Sequence, residues 1–385
     1  MKLHGSIIRN LWQKIITRIA IFFIVLFGKK IAFSDNPNMG FSVVRKVFYT
    51  FLYHKKDIYN VNSDKSENIK RILLVRIDRI GDMLLLTPAI RALKKVYKDA
   101  DIYVLASCYN KDVLVYNKNI TEILIYEKNP FKNFKLIRKL KEYKFDIAID
   151  SYFSFNIRSA LLTYFSRAKT RLGYDSENAR YFFNRTVKTD IPEYEVLKHL
   201  DLIKSIGVYD NDVSLELNYG ESDKTNAEKF LLNINPGNAY TTFIGINPGA
   251  RRSTHLWQPE KFAELADLFV RKYGVSMVIT WGPKELKLAE RIRNKMSEKV
   301  NLAYRTNILE LAALISKFGL FICSDTGPLH IAVSSMVPAI ALFGKGDYLR
   351  WAPPSDNVKI IKGKKIKDIT VEEVAAAAGN ILKKR

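Results

Sequence analysis

Four short stretches of the chain carry residues able to do chemistry. The first is VRIDRIGDMLLLTPAI, residues 75–90. An apolar run, RILLV, leads into it and an amphipathic run leads out, so it reads as a strand, a tight turn and a helix. Such turns often cradle phosphate, but neither a GxGxxG fingerprint nor a GxxxxGK[ST] loop is present. The turn instead holds Asp78, Gly81 and Asp82, with Arg76 and Arg79 supplying positive charge. A carboxylate here would repel a phosphate but could accept a proton from a sugar hydroxyl. The helix dipole would keep Asp82 ionised. The same position also suits a helix N-cap, and the sequence leaves both readings of Asp82 open.

The other three stretches have the opposite character. INPGARRSTHLWQPEKF, residues 246–262, places Gly249, Arg251, Arg252, Ser253, Thr254 and His255 between a strand and a helix. Glycine permits close backbone approach, and guanidinium and hydroxyl groups bind phosphate oxygens, so this turn suits a diphosphate; a solvated surface loop is the alternative. SDTGPLHIAVSS, residues 324–335, opens a helix at Asp325, Thr326 and Gly327. Its first N–H groups could meet an anion. Thr326 could cap, and His330 could reach a phosphate or ribose or else sit as a core histidine. In TWGPKEL, residues 280–286, Glu285 could accept hydrogen bonds from a sugar or complement a helix start.

These turns need elements to hold them at strand ends. From Lys70, apolar runs (RILLV, DIYVLA, EILIY, FDIAID) alternate with amphipathic helical stretches (PAIRALKKVY, FKLIRKLKEY, RSALLTYFS). After a break at residues 207–241 the alternation restarts with FIGIN, VSMVIT, NLAY, LFICS, PAIALF and NVKII. That pattern predicts two doubly wound α/β domains, with ligands beyond the carboxyl ends of the strands and a cleft between the domains.

The formal net charge of +23 implies an acidic partner: nucleic acid, anionic lipid, or phosphorylated sugars and nucleotides. No reader module for nucleic acid is recognisable. The two cysteines, Cys108 and Cys323, lie in or beside apolar runs and read as buried free thiols, and no zinc-like Cys/His spacing occurs. In the first sixty residues, Ile8, Leu11, Trp12, Ile15, Ile19, Phe22, Phe23 and Leu26 repeat at helical spacing, opposite Arg9, Lys14 and Arg18. The uninterrupted apolar run, residues 19–27, is shorter than the roughly 20 residues of a bilayer span. A basic amphipathic helix lying in the membrane interface fits this pattern best; a tilted span, a signal peptide or a protein-docking helix are the other readings.

With these residues in view, the chain resembles the family 9 glycosyltransferases, the heptosyltransferase-like enzymes of lipopolysaccharide assembly. The resemblance runs over roughly residues 70–383. It is carried by ILLVRIDRIGDMLLLTPAIRALKK, INPGA with WQPEKFAELA, TWGPKE, and SDTGPLHIAVSSMVPAIALFG with RWAP. It implies a GT-B fold of two facing Rossmann-like domains; the N-terminal amphipathic helical extension matches nothing in the family core. The corresponding divisions are residues 1–65 for extension and linker, 66–220 for an acceptor domain, and 221–385 for a nucleotide-sugar donor domain.

The resemblance also implies an inverting transfer, without cofactor or metal, from a nucleotide-diphosphate sugar (ADP-heptose in the best-known members) to a lipopolysaccharide core or other lipid-linked saccharide. The place of work is the cytoplasmic side of the inner membrane, against an anionic surface, with no nucleic-acid partner. Asp82 becomes the general base and Gly81 its turn residue, beside Arg79. Asp325, Thr326, Gly327 and His330 surround the donor's diphosphate and sugar, and Glu285 lies near the nucleoside. One position departs from the family pattern: His255 stands where members commonly carry a phosphate-binding lysine, so Arg251 or Arg252 would have to compensate. A nucleotide-sugar epimerase of the same architecture, and a non-catalytic saccharide-binding relative, are the competing expectations.

Overall fold

The computed structural model describes residues 68–382 apart from Lys128, 190–193, 237–241, Arg251 and 345–347. The amphipathic extension and its linker therefore lie outside the described residues, as does Arg251. Among the described residues no helix is long and apolar enough to cross a membrane.

Two six-stranded parallel sheets form the body. The first contains β1 (Arg71–Val75), β2 (Asp101–Ser107), β3 (Glu122–Tyr126), β4 (Ile147–Asp150), β5 (Thr170–Tyr174) and β6 (Arg185–Val187). Its spatial order is β3-β2-β1-β4-β5-β6. The second contains β7 (Phe243–Asn247), β8 (Ser276–Ile279), β9 (Val300–Leu302), β10 (Leu320–Ser324), β11 (Ala339–Phe343) and β12 (Val358–Lys362). Its order, β12-β11-β10-β7-β8-β9, is the same winding. In each sheet the order reverses beside the first strand, between β1 and β4 and between β7 and β10. Those two crevices are where a doubly wound sheet receives ligands.

The central strands are apolar throughout because helices cover both faces. In β1, Ile72 and Leu74 join one core cluster while Leu73 and Val75 join another. The first of these clusters is shared by both sheets: it also takes Val278, Phe321, Cys323 and Ala341. Between the sheets lie α1 (Ile80–Val96), α4 (Glu195–Lys204), α5 (Glu221–Ile234), α8 (Ile308–Ile315) and α9 (Gly327–Ser334), with α1 against α4 and α9 and α5 against α8. The outer faces carry α2 (Pro130–Glu142) and α3 (Ile157–Phe165) on one sheet, and α6 (Pro259–Tyr273), α7 (Leu286–Arg293) and α11 (Val371–Leu382) on the other. A short helix, α10 (Tyr348–Trp351), completes the set.

Helix α1 shows what this layer does for a site. Met83, Leu84, Leu85, Leu86, Ala89 and Ile90 are all buried, nearly all round the helix rather than along one stripe. Fully burying a leucine contributes about 1.5–3 kcal/mol. The first turn of α1, which carries Asp82, is thus clamped from two sides.

The sequence pattern located ten of the twelve strands; β5, β6 and α4 were not read from it. Cys323 is buried as expected, whereas Cys108 is exposed, because β2 ends one residue before it and the chain there has left the sheet.

Candidate active site

At the carboxyl end of β1 the chain turns into α1, and Arg76 is the hub of that turn. Its side chain is only 3% exposed. Nη2 donates to Asp82 Oδ1 at 2.6 Å, Nε to Asp78 Oδ1 at 2.8 Å, and Nη1 to the Ser151 carbonyl at 2.6 Å. The guanidinium also lies over the Tyr152 ring, 4.6 Å from its centroid. Burial works against its charge, but the carboxylates of Asp78 and Asp82 outweigh that and hold Arg76 more firmly protonated than usual. Asp82 is the third residue of α1, after Arg79 at the N-cap, and is 6% exposed. No side chain caps α1, so the carboxylate serves Arg76 rather than the helix N–H groups. Its second oxygen, Oδ2, makes no hydrogen bond to the described residues.

Two further acids surround this hub. Burial raises the Asp78 carboxyl above its ordinary range, against the pull of Arg76 and with Asp82 adding to the rise. Asp150, at the end of β4, is pushed up to about 7 by burial, against Ser159, the Tyr152 N–H and Arg76.

The second sheet meets this turn head on. Helices α1 and α9 abut at their N-termini. A Cβ on Gly81 would stand 3.0 Å from His330 Cδ2 and 3.6 Å from Gly327 Cα, so a larger residue would fit only if the His330 ring gave way by a few tenths of an ångström. Burial pulls His330 down to about 4, with Asp82 opposing, so the ring is neutral near pH 7. Its Nδ1 is buried without a hydrogen-bond partner among the described residues. Burial lifts Asp325 to about 6, opposed by His255 and Arg79 and reinforced by Asp82. Asp82, Arg79, His255, Asp325 and His330 therefore share one electrostatic neighbourhood across the two crevices. Thr326 holds the N-cap position of α9, but its hydroxyl donates to the Ser324 carbonyl at 3.3 Å instead of capping. Pro328 carries no N–H and the Leu329 N–H bonds the Thr326 carbonyl at 3.1 Å, which leaves the Gly327 N–H open for an anion at the start of α9.

The second and fourth stretches converge as well. The Glu285 carboxylate packs directly on Gly249, where a Cβ would overlap it, and its Oε2 accepts the Gly282 N–H at 2.8 Å. Beyond Gly249, Arg252, Ser253 and Thr254 are exposed, while His255 is half-buried. Trp257 pins the far end of the turn, fully buried, with Nε1 donating to the Ile369 carbonyl at 3.0 Å. The structure thus brings Gly81, Asp82, Asp325, Gly327 and His330 together, and Gly249 with Glu285. Arg252 and Ser253 stay at the solvent rim.

Sequence reasoning missed three participants. Arg76 was read as background charge, not as the anchor of Asp82. The β4 end, Asp150 to Tyr152, was read only as strand; the winding order puts it beside β1, and an acid followed by a tyrosine at a strand end was the available signal. The third is a buried ion pair between the halves. Glu195, with no exposed surface, accepts from Arg350 Nε at 2.7 Å and from Nη2 at 3.0 Å. These residues are 155 positions apart, and no local pattern links them.

Among the described residues no group of His, Cys, Asp and Glu is arranged to hold a metal ion.

Two facing Rossmann-like sheets, with an acidic turn set against an open helix N-terminus, define a GT-B-type architecture. The sequence profile of glycosyltransferase family 9 (heptosyltransferase) matches residues 133–378, and the chain belongs to that family. It is similar to lipopolysaccharide heptosyltransferase 3 of Escherichia coli, 29% identical over 293 residues that cover 72% of this chain and 84% of that protein. Its fold is like that of a family 9 glycosyltransferase from Veillonella parvula, with a TM-score of 0.76 and 23% identity over 83% of this chain and all of the other. It is also like that of the E. coli ADP-heptose lipopolysaccharide heptosyltransferase II, with a TM-score of 0.69 and 21% identity over 82% and 99% of the two chains.

Proposed function

We propose that this glycosyltransferase moves heptose, or a closely related sugar, from ADP-heptose to a lipopolysaccharide core or similar lipid-linked saccharide. The observation that carries the reading is the division of charge across the two crevices. A buried carboxylate with one free oxygen, Asp82, faces the uncapped start of α9 and the neutral His330.

In this mechanism the half ending near residue 220 receives the acceptor and the half beginning near 221 holds the donor. Asp82 Oδ2 takes the proton of the acceptor hydroxyl as that oxygen bonds to the anomeric carbon. The bond from that carbon to the diphosphate oxygen breaks on the opposite face, so the configuration inverts. The electron pair leaves with the diphosphate, whose charge meets the N–H groups at Thr326–Gly327 and the ring of His330. His255, with Arg252 and Ser253 at the rim and Arg251 next to them in the chain, supplies the remaining phosphate contacts. Asp325 lies by the sugar, and Glu285, held against Gly249, accepts from the nucleoside. Arg79 and Gly81 form the acceptor side of the turn. No metal takes part, and residues 1–65 hold the enzyme on the cytoplasmic face of the inner membrane as a peripheral protein.

The similarity in sequence to lipopolysaccharide and lipooligosaccharide heptosyltransferases favours transfer over the epimerase alternative. Thermal melting with a panel of nucleotide-sugars tests the donor, because a ligand bound only by the folded state raises the midpoint. ADP-heptose should give the largest rise, and product should form only when a saccharide acceptor is added. Conversion of the donor alone would favour the epimerase, and a larger rise with another nucleotide would overturn the donor assignment.

A further inference from the structure

Beside the acceptor crevice, on the edge of the first sheet, aromatic rings are left in solvent. Phe131 is 82% exposed, Tyr109 75% and Phe134 51%. Phe131 and Phe134 lie in α2, whose other apolar residues, Leu136, Ile137 and Leu140, are buried in the core beneath it. The two phenylalanines are thus additional to the stripe that packs α2 on the sheet. Residues 130–144 carry six lysines or arginines and a single acid, Glu142. Three of the cations are partly offset: Lys132 pairs with Glu127 at 2.8 Å, Lys139 with Glu122 at 2.7 Å and Arg138 with Glu142 at 3.4 Å. Lys135, between the phenylalanines and the next turn, has no acidic partner within 4.0 Å among the described residues.

This patch is continuous with the site. Parallel strands β1, β2 and β3 end at one edge of the sheet, and Tyr109 and Phe131 lie just past the ends of β2 and β3. The loop after β2 is tied to the catalytic turn, because Asn110 Nδ2 donates to the Arg76 carbonyl at 3.1 Å.

We propose that Tyr109, Phe131 and Phe134, with Lys132, Lys135 and Arg138, form a docking rim for an anionic bilayer surface. Aromatic rings settle at the level of lipid headgroups, and basic side chains beside them are drawn to acidic lipids. An exposed apolar group rimmed by one sign of charge suits that partner better than an uncharged protein face. The rim rests on the reading above that the acceptor is lipid-linked, and gives it geometry: a bilayer held at the ends of β2 and β3 presents a headgroup saccharide to the turn at Asp82. It is separate from the amphipathic segment at residues 8–26.

The protein supplies its own reporter, since Cys108 is exposed beside Tyr109 and Cys323 is buried. An environment-sensitive fluorophore on Cys108 of the full chain should shift to the blue with phosphatidylglycerol vesicles and not with phosphatidylcholine vesicles. Phe131→Asp/Phe134→Asp should abolish the shift even where the protein still sediments with vesicles through its remaining contacts. A label that stays unchanged while the wild type is vesicle-bound would overturn the proposal. So would a shift that survives the double substitution, or one that follows protein concentration without lipid and so marks a second copy as the occupant. None of these readings uses turnover, so the rim can fail while the transferase reading stands, and the reverse.

Discussion

Arg76 Nη2 lies 2.6 Å from Asp82 Oδ1, and both side chains are buried. One oxygen of the carboxylate is thereby fixed in place and the other is left for a substrate. The guanidinium is itself held by the Ser151 carbonyl and by Asp78, so the orientation of Asp82 is set by β1 and β4 together.

Replacing Arg76 with methionine should therefore do more than remove a charge. It leaves the buried Asp82 and the half-buried Asp78 without their cation, and breaking a buried pair costs about 3–5 kcal/mol. Arg76→Lys keeps the charge but cannot reach three acceptors at once, so its cost should be intermediate. Urea denaturation reads both. Equal stability of Arg76→Met and wild type would mean that the hub carries no weight.

The ion pair between the halves gives a second test. Burial raises the Glu195 carboxyl, but Arg350 and His199 more than offset this and hold it below its ordinary range. Its contribution is present at neutral pH and is lost as pH falls through the folded value. Arg350→Met leaves Glu195 buried with only Lys198 at 4.0 Å. A loss of about 3–5 kcal/mol at pH 7 is expected, shrinking as acid neutralises the stranded carboxylate. A loss independent of pH would place the effect in packing against Phe153 and Trp351 instead.

Asp150 predicts the opposite slope. A carboxyl raised from 3.8 to about 7 binds its proton more tightly in the folded state than in the unfolded one. Stability falls as pH rises from near 4, and the full cost, about 4 kcal/mol at 1.36 kcal/mol per pKa unit, is reached above 7. Asp150→Asn can still accept the Tyr152 N–H and should remove this slope. Melting curves at pH 4 and pH 8 check it: the substitution should help at pH 8 and change little at pH 4.

At the donor side, Gly249→Ala should force the Glu285 carboxylate away, because a Cβ would occupy its position. Donor-induced stabilisation should fall in Gly249→Ala and in Glu285→Gln, with the transfer rate at saturating donor less affected. Unchanged donor response in both would remove these residues from the donor site.

Much of this arrangement was legible in the sequence. The apolar runs marked the central strands because parallel strands covered on both faces have no polar alternation. The glycine and proline turns marked their ends. Edge strands such as β6, with RTV only partly buried, carry no comparable signal. Asp82 could be picked out from its turn, but capping and catalysis could not be separated until its partner was known, and that partner is an arginine six residues earlier whose neighbours come from β4. The Glu195–Arg350 pair was invisible because only the packing of the two halves creates it.

The central claim is that Asp82 is the base. Asp82→Asn preserves an oxygen for the Arg76 hydrogen bond and removes only the capacity to take a proton. With ADP-heptose and a saccharide acceptor, transfer should fall by about 10²–10⁴-fold, while the rise in melting point on adding donor stays as in the wild type. Transfer within a few-fold of wild type would contradict the assignment.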